Sequence, residues 1–469
     1  MKIDLNFVAQ AIKAHIIMPE GAAVNGCFSG IAHDSRLLKP GDLFVALRGA
    51  NGDGHHYLDQ AAAKGAAAVM VEQGFEPRPQ LSLPVIEVRD TLSALQQLAH
   101  AWRMEFELPL IAVTGSVGKT STKDMLAACL QPLGPVLKTQ GNFNNEIGLP
   151  ITLLNLDAAC RNAVVEMGMR APGEISALAA IARPSHAVIS NVEAVHLESM
   201  GSIQNIARAK AEILDYIEEG GFALINGDQQ LLREAAAGHK AKLYRFGWAE
   251  DCEMRILQTR CDAEGLAVRM ELLGEAMLLA LPLPVPELAY NMAAAAGTAR
   301  LLGVSCADIK TALAGITLSK LRMHIIELPE GGVVINDTYN ASPPSMKAAL
   351  GLLHQIAGSR AKVAVLGDML ELGSYEREGH REVGDRAALL GVRTLLTVGR
   401  RAADIAEGAC RSGMDPESIY RFADAGACLL WMREHISRGD AVLFKASRGM
   451  KLEELMEGWL CPSPTGEKL

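Results

Sequence analysis

The run Ile111-Ala-Val-Thr-Gly-Ser-Val-Gly-Lys-Thr-Ser121 sets glycines, a lysine and hydroxyl side chains between an apolar strand pattern and a helix pattern. Glycine lets a backbone turn tightly, so that successive N–H groups point inward at phosphate oxygens. The helix N-terminus adds a partial positive charge. In such a loop, Thr114, Gly115, Ser116, Val117, Gly118, Lys119, Thr120 and Ser121 would cradle a nucleoside triphosphate. Lys119 would reach the β- and γ-phosphates, and the Thr120 hydroxyl would ligate Mg²⁺. The longer Walker pattern calls for glycine at position 113, where this chain has valine. The shorter Thr-Gly-x-x-Gly-Lys-Thr is complete. By itself the loop suits ATP or GTP.

Three other residues suit metal chemistry, and spacing alone does not join them to Thr120. Glu166 ends the apolar run Ala163-Val-Val-Glu, and a carboxylate there sits at the ligand edge of a parallel sheet. It equally suits a buried carboxylate paired with an arginine. His196 follows a strand pattern on the loop Asn191-Val-Glu-Ala-Val-His, where a histidine is more often a loop or core residue. Lys210, on the helical stretch Ile206–Ile213, reads on its own as a solvated surface charge.

The elements that must position these groups alternate. Leu110–Thr114, Ala163–Met167, Ala187–Ser190 and Phe222–Ile225 are short apolar runs, with helical patterns at Lys119–Leu130, Ile203–Ile217 and Asn291–Leu302. Strands alternating with helices imply a parallel sheet covered on both faces. Residues 240–282 predict an antiparallel extension. A second alternation runs from strand Val333–Asp337 through helix Ser345–Ile356, strand Val363–Leu366, helix Arg377–Leu390, strand Thr394–Val398, helices Ala402–Arg411 and Ala425–Ile436, to strand Ala441–Lys445. Before the phosphate loop, Gly41–Leu47 reads as turn and strand, Leu58–Lys64 as helix, Ala66–Val71 as strand and Thr91–Arg103 as helix. A proline-rich stretch, Glu76–Pro84, reads as turn or linker.

A length of 469 residues predicts three domains at about 100–200 residues each. The expected fold class is α/β: a small N-terminal α/β domain (1–88), a central P-loop parallel sheet with helices on both faces (89–318), and a C-terminal Rossmann-like α/β domain (319–469). The formal net charge of −9 argues against a nucleic-acid surface. The nine cysteines show no Cys-x-x-Cys spacing, which argues against a disulfide framework or zinc site and points to a reducing cytoplasm. No secretory leader pattern opens the chain, and no apolar run approaches the ~20 residues of a membrane span. The expectation is a cytoplasmic monomer.

Together, Thr114–Thr120, Gly141-Asn-Phe-Asn-Asn-Glu-Ile-Gly-Leu-Pro150, Glu166-Met-Gly168, Asn191–His196 and Ala209-Lys-Ala-Glu212 resemble the Mur ligase family of peptidoglycan synthesis, with its folylpolyglutamate synthetase-like relatives. The stretches recur in the family's order, and the resemblance covers almost the whole chain. It implies that Thr120, Glu166 and His196 bind Mg²⁺, two ions in all, and that Lys210 is carbamylated to help position the second. It implies that Asn142 and Asn145 lie near nucleotide and acyl substrate, and that Arg322 reaches the γ-phosphate. The family's His-Asn-x-x-Asn run corresponds to Glu287-Leu-Ala-Tyr-Asn291. Asn291 aligns with the adenine contact, while Glu287 and Leu288 depart.

Asn336-Asp-Thr-Tyr-Asn-Ala-Ser-Pro343 with Ser345, and Val365-Leu-Gly-Asp-Met-Leu-Glu-Leu-Gly373, resemble the family branch that adds D-alanyl-D-alanine. That likeness implies site roles for Asp337, Tyr339, Asn340 and Ser345. His33-Asp34-Ser35-Arg36 and Asp53-Gly54-His55 resemble the segment that holds the UDP end of a UDP-N-acetylmuramoyl-tripeptide. Phe444-Lys-Ala-Ser-Arg448 resembles the last strand of the third domain. The implied activity is ATP-dependent amide formation through an acyl phosphate, with Lys119, His196, Lys210 and Arg322 as the catalytic set. A ligase adding a single amino acid, a P-loop NTPase switch and a silent UDP-sugar binder are the alternatives.

Overall fold

The computed structural model describes residues 3–19, 26–49, 52–75, 81–262, 264–317 and 321–461. Most of the proline-rich stretch and the expected start of the third domain near Lys320 lie outside the described residues.

The central sheet has nine strands. From one edge they run Glu275–Leu281, Gly265–Leu272, Met254–Asp262, Lys242–Gly247, Phe222–Asn226, His186–Ile189, Leu110–Thr114, Asn162–Glu166 and Val136–Lys138. Side chains alternate across a strand, so a doubly covered strand divides its apolar residues between two cores. Ile111, Val113, Val164, Val188 and Leu224 enter the core beneath helices Lys119–Leu130 and Leu288–Leu301. Leu110, Ala112, Ala163, Val165, Ala187 and Ile225 enter the opposite core, beneath Thr91–Met104 and Glu174–Ala182. Each fully buried aliphatic side chain stabilises the fold by about 1.5–3 kcal/mol. Ala293 to Ala296 are wholly buried, and their small side chains let helix Leu288–Leu301 approach helix Lys119–Leu130 closely. The chain leaves strand Leu110–Thr114 in one direction and later adds strands on its other side, so the sheet order reverses there. Ligands of open α/β sheets bind at that crevice.

Residues 240–282 are not antiparallel throughout. Lys242–Gly247 continues the parallel sheet beside Phe222–Asn226, and the antiparallel pairs are those of Met254–Asp262, Gly265–Leu272 and Glu275–Leu281. The expected helix Ile203–Ile217 tightens at Glu212 into a 3₁₀ turn over Glu212–Tyr216. The Glu212 carboxylate accepts the N–H groups of Gly173 (2.8 Å) and Ser176 (3.0 Å) at the start of the next helix over. It satisfies donors that a helix terminus leaves unpaired.

His186, at the start of a central strand, accepts the Phe222 N–H through Nδ1 at 3.2 Å and stacks on the Phe222 ring. Burial lowers its pKa to about 4 from 6.5. Between those values the unfolded chain takes a proton that the folded one refuses, so stability is full above pH 6.5 and falls toward pH 4. The whole effect is on the order of 3 kcal/mol. His186→Asn keeps an acceptor and removes the titration. Its thermal midpoint should therefore fall less than the parent's between pH 7 and pH 4, and an equal fall would assign the acid sensitivity to other groups.

The N-terminal sheet orders His15–Ile17, Val85–Val88, Ala68–Glu72, Leu43–Val45 and Ile31–Ala32, with only the first pair antiparallel. The C-terminal sheet orders His324–Glu327, Val333–Asn336, Ala441–Lys445, Lys362–Gly367, Thr394–Val398 and Ile419–Phe422. Only its first pair is antiparallel. The fold is the expected α/β class built on parallel-dominated sheets. Helix Pro343–Ile356 starts two residues before the sequence expectation, with proline in its first turn and a Ser342–Ser345 capping box. Both features favour initiation there.

Candidate active site

A cavity of about 1050 Å³ opens where the C-terminal ends of the central strands face the C-terminal sheet. The phosphate loop forms one wall. Gly115 has φ 149° and Gly118 φ 80°, conformations that side chains oppose. Their neighbours are equally restrictive. A Cβ on Gly115 would lie 1.9 Å from Ser190 Oγ, and one on Gly118 would lie 2.4 Å from Asn291 Nδ2. Asn191 accepts the Val117 N–H through Oδ1 (2.8 Å) and donates to the Val117 carbonyl (2.9 Å), while Ser190 donates to the same carbonyl at 2.8 Å. Asn291 donates to the Gly118 carbonyl (3.1 Å) and to Thr122 Oγ1 (2.8 Å). Its amide nitrogen thus holds the loop, and Asn291 still lines the cavity.

Lys119 is half-buried, and its Nζ donates to the Gly115 (2.8 Å) and Ser116 (3.3 Å) carbonyls. Burial lowers its pKa, which Glu166 partly restores. Ser116, Val117, Gly118 and Ser121 line the cavity with it. Thr114, Gly115 and Thr120 lie behind that surface. Among the described residues, the buried Thr114 Oγ1 has no hydrogen-bond partner.

Glu166 is buried at the end of its strand, and its partners are not an arginine. Thr120 Oγ1 and Asn144 Nδ2 both donate to its carboxylate at 2.7 Å. Sequence reasoning picked Asn142 and Asn145, which also line the cavity, and missed Asn144 between them. Asn145 Oδ1 accepts the Gly148 N–H at 2.9 Å and so starts the next helix. His196 faces the cavity with left-handed backbone (φ 54°), and its Nδ1 hydrogen-bonds the Glu371 carboxylate from the C-terminal sheet. Burial lowers the imidazole pKa, with Glu371 acting in the opposite sense, and the net shift favours the neutral ring.

Lys210 corrects the reading of a solvated charge, being only 2 % exposed. Among the described residues no hydrogen bond or ion pair engages its Nζ. Its pKa is pushed well down by burial, with Lys119 adding to the effect. Burying an unpaired ammonium is costly, and that cost favours the neutral amine.

Among the described residues no three His, Cys, Asp or Glu side chains gather as a metal site. Mg²⁺ does not require such a cage, because it binds through one or two carboxylates with phosphate oxygens and water. Glu166 supplies such a carboxylate, with the Thr120 hydroxyl against it, and the His196 imidazole lines the same cavity.

The facing wall belongs to the C-terminal sheet. The Arg322 guanidinium lies over the Tyr339 ring at 4.1 Å. Lys445, which sequence reasoning noted only within a strand motif, is buried and donates to Asp337 Oδ2 (2.6 Å) and the Asn340 carbonyl (2.8 Å). Asp337 Oδ1 accepts the Met323 N–H at 3.2 Å, next to Arg322. The buried pair thereby fixes both the Asp337–Asn340 turn and the approach of Arg322. Ser345 lines the cavity, yet its hydroxyl also closes the helix cap with Ser342.

The N-terminal set does not line this cavity. Asp34 pairs with Arg36 at 2.7 Å, and Ser35 donates to Gln60 at 2.6 Å. Asp53 Oδ1 accepts the His55 N–H (2.9 Å) and meets its Nδ1 (2.6 Å), while the buried His55 accepts the Glu72 N–H through Nε2 at 3.0 Å. A Cβ on Gly54 would lie 2.7 Å from the Leu47 nitrogen. Asp53-Gly-His55 therefore ties two segments of the small domain together.

Comparison with known proteins matches the Mur ligase family, catalytic domain, to residues 28–103, the Mur ligase middle domain to 113–299, and the Mur ligase, glutamate ligase domain to 321–448. The chain is 37% identical over 457 residues to the UDP-N-acetylmuramoyl-tripeptide–D-alanyl-D-alanine ligase of Bacillus subtilis (strain 168), covering 97% of this chain and 98% of the relative. The enzyme of the same name from Escherichia coli (strain K12) is 35% identical, over 91% and 92% of the two chains. Among solved structures, MurF from Acinetobacter baumannii superposes with a TM-score of 0.85 at 30% identity, over 98% and 99% of the two chains. MurF ligase from Thermotoga maritima in complex with ADP superposes at 0.76 with 28% identity, over 92% and 96%. With matches that run nearly end to end and a phosphate loop facing the Asp337–Ser342 turn across one cavity, the chain belongs to the Mur ligase family.

Proposed function

We propose that this protein is an ATP-dependent amide ligase that joins D-alanyl-D-alanine to UDP-N-acetylmuramoyl-tripeptide, releasing ADP and phosphate, in peptidoglycan synthesis. The observation that carries the reading is the single cavity shared by Lys119 and Glu166 on one wall and Arg322, Tyr339 and Asn340 on the other. A triphosphate on the loop would have its γ-phosphate directed at the space between the walls. Relatives that carry this activity in their names align over 97% and 91% of the chain.

An amide cannot form directly from a carboxylate, because oxide leaves poorly. The tripeptide carboxylate oxygen attacks the γ-phosphorus, the bond to the β-phosphate oxygen breaks, and ADP leaves an acyl phosphate. The neutral dipeptide amine then attacks the acyl carbon, the amine gives up a proton to solvent, and phosphate departs with the former carboxylate oxygen. Lys119 and Arg322 offset the negative charge that opposes the first encounter. We assign Thr120, Glu166, His196 and carbamylated Lys210 as the residues that hold Mg²⁺, which when bound neutralises triphosphate oxygens. We assign residues 1–88 to the UDP end, 89–318 to ATP and 319–469 to the dipeptide, with Asp34, Ser35, Arg36 and the Asp53–His55 turn near the nucleotide-sugar. Asn142 and Asn145 would face the acyl substrate, and Tyr339, Asn340 and Ser345 the incoming dipeptide. Walls brought together over the acyl phosphate would exclude water and protect it from hydrolysis.

Phosphate release from ATP tests the reading. With UDP-N-acetylmuramoyl-tripeptide present, release should require D-alanyl-D-alanine and should not be supported by single amino acids. Release with a single amino acid and none with the dipeptide would reassign the chain to another ligase of the family.

A further inference from the structure

Glu371 belongs to the C-terminal sheet's loop, yet its carboxylate serves the central sheet. One oxygen hydrogen-bonds His196 Nδ1, and the other lies 3.7 Å from Arg170 Nε. Glu371 and His196 both have left-handed backbone, at φ 64° and 54°. Such strain in a non-glycine residue costs on the order of 1 kcal/mol and persists only where surroundings enforce it. Here they do. The loop is pinned because Leu370 N–H donates to Ser447 Oγ (2.9 Å) and Met369 N–H to His380 Nε2 (3.0 Å). At Gly373 a Cβ would sit 3.1 Å from the Glu198 nitrogen, so the two walls touch two residues beyond His196.

A metal-binding imidazole needs one nitrogen free, and a carboxylate on the other nitrogen fixes both tautomer and ring orientation. We infer that Glu371 is a positioning residue for His196, so that the metal site of the central domain is completed by a carboxylate from the domain assigned to the dipeptide. Glu371 holds the proton on Nδ1 and leaves Nε2 as the donor atom. The largely exposed Arg170, 3.7 Å from the other oxygen, adds a weak, screened attraction. The inference rests on the reading of His196 as a metal ligand, and its test separates the two.

Mn²⁺ retained by the whole protein in equilibrium dialysis, with a non-hydrolysable ATP analogue present, is the readout, compared for the parent, E371A, E371Q and H196A. E371A should weaken Mn²⁺ binding by about 10–100-fold. E371Q, which keeps a carbonyl acceptor, should lose less. Affinity for the analogue measured without metal should not change in either variant. Parental or tighter Mn²⁺ binding by E371A, with binding weakened in H196A, overturns the inference and leaves the ligand reading intact. Parental binding by H196A overturns both. Equal losses of analogue and Mn²⁺ in E371A and E371Q, with a lower thermal midpoint, would mark Glu371 as a structural residue and overturn the inference.

Discussion

Lys119→Met should lower kcat for dipeptide ligation by about 1000-fold or more, with a far smaller change in KM for ATP. The ammonium donates to the Gly115 and Ser116 carbonyls. A triphosphate on the loop would draw Nζ to its oxygens, and charge grows on those oxygens as the γ-phosphoryl group transfers. An interaction that strengthens in the transition state acts on kcat more than on binding. Methionine keeps the length and packing of the stem and deletes the charge. Because burial already penalises the ammonium, the variant should unfold at a temperature close to the parent's. Steady-state phosphate release with thermal unfolding decides the matter, and activity within tenfold of the parent would show that the phosphates lie elsewhere.

Lys210→Ala should cost about 100–1000-fold in kcat, and short carboxylic acids should restore part of it. A neutral amine attacks the carbon of CO₂, a C–N bond forms, the amine proton goes to solvent, and an anionic carbamate remains. Burial, with no hydrogen-bonding partner among the described residues, favours the neutral amine this requires. Alanine would remove the proposed anion and open space that acetate or propionate can enter. The variant should be no less stable than the parent, since an unpaired buried amine contributes little to the fold. Activity that does not depend on the substitution would exclude the carbamate. Lost activity with a native unfolding transition and no recovery at high acetate would leave the lysine essential for a reason other than its anion.

Much of the architecture was legible because parallel strands are buried on both faces and so appear as uninterrupted apolar runs. Leu110–Thr114, Thr394–Val398 and Ala441–Lys445 begin and end where the sequence places them. Short or half-exposed elements were not legible. His324–Glu327 and Ile419–Phe422 lie at sheet edges with no fully buried residue, and a four-residue segment of that kind carries little pattern. At the site, the phosphate loop was readable because its chemistry is contiguous. Ser190, Asn144, Lys445 and Glu371 act on residues distant in the chain, and no local spacing announces such a contact. Lys210 misled for a related reason. Its helix exposes some positions and buries others, and only packing shows which face the lysine takes.

The two glycines of the phosphate loop are hemmed in from outside, Gly115 by Ser190 and Gly118 by Asn291. The loop therefore resembles a cast whose mould is made of side chains from two other stretches of chain. Such a mould limits how the protein can be rebuilt. Shortening Ser190 or Asn291 would free space and at the same time release the carbonyls that they hold, so the cast would loosen rather than enlarge. A redesign of this grip for a different nucleotide has to recast the loop and both of its outer walls together, because no single exchange leads from one working shape to another.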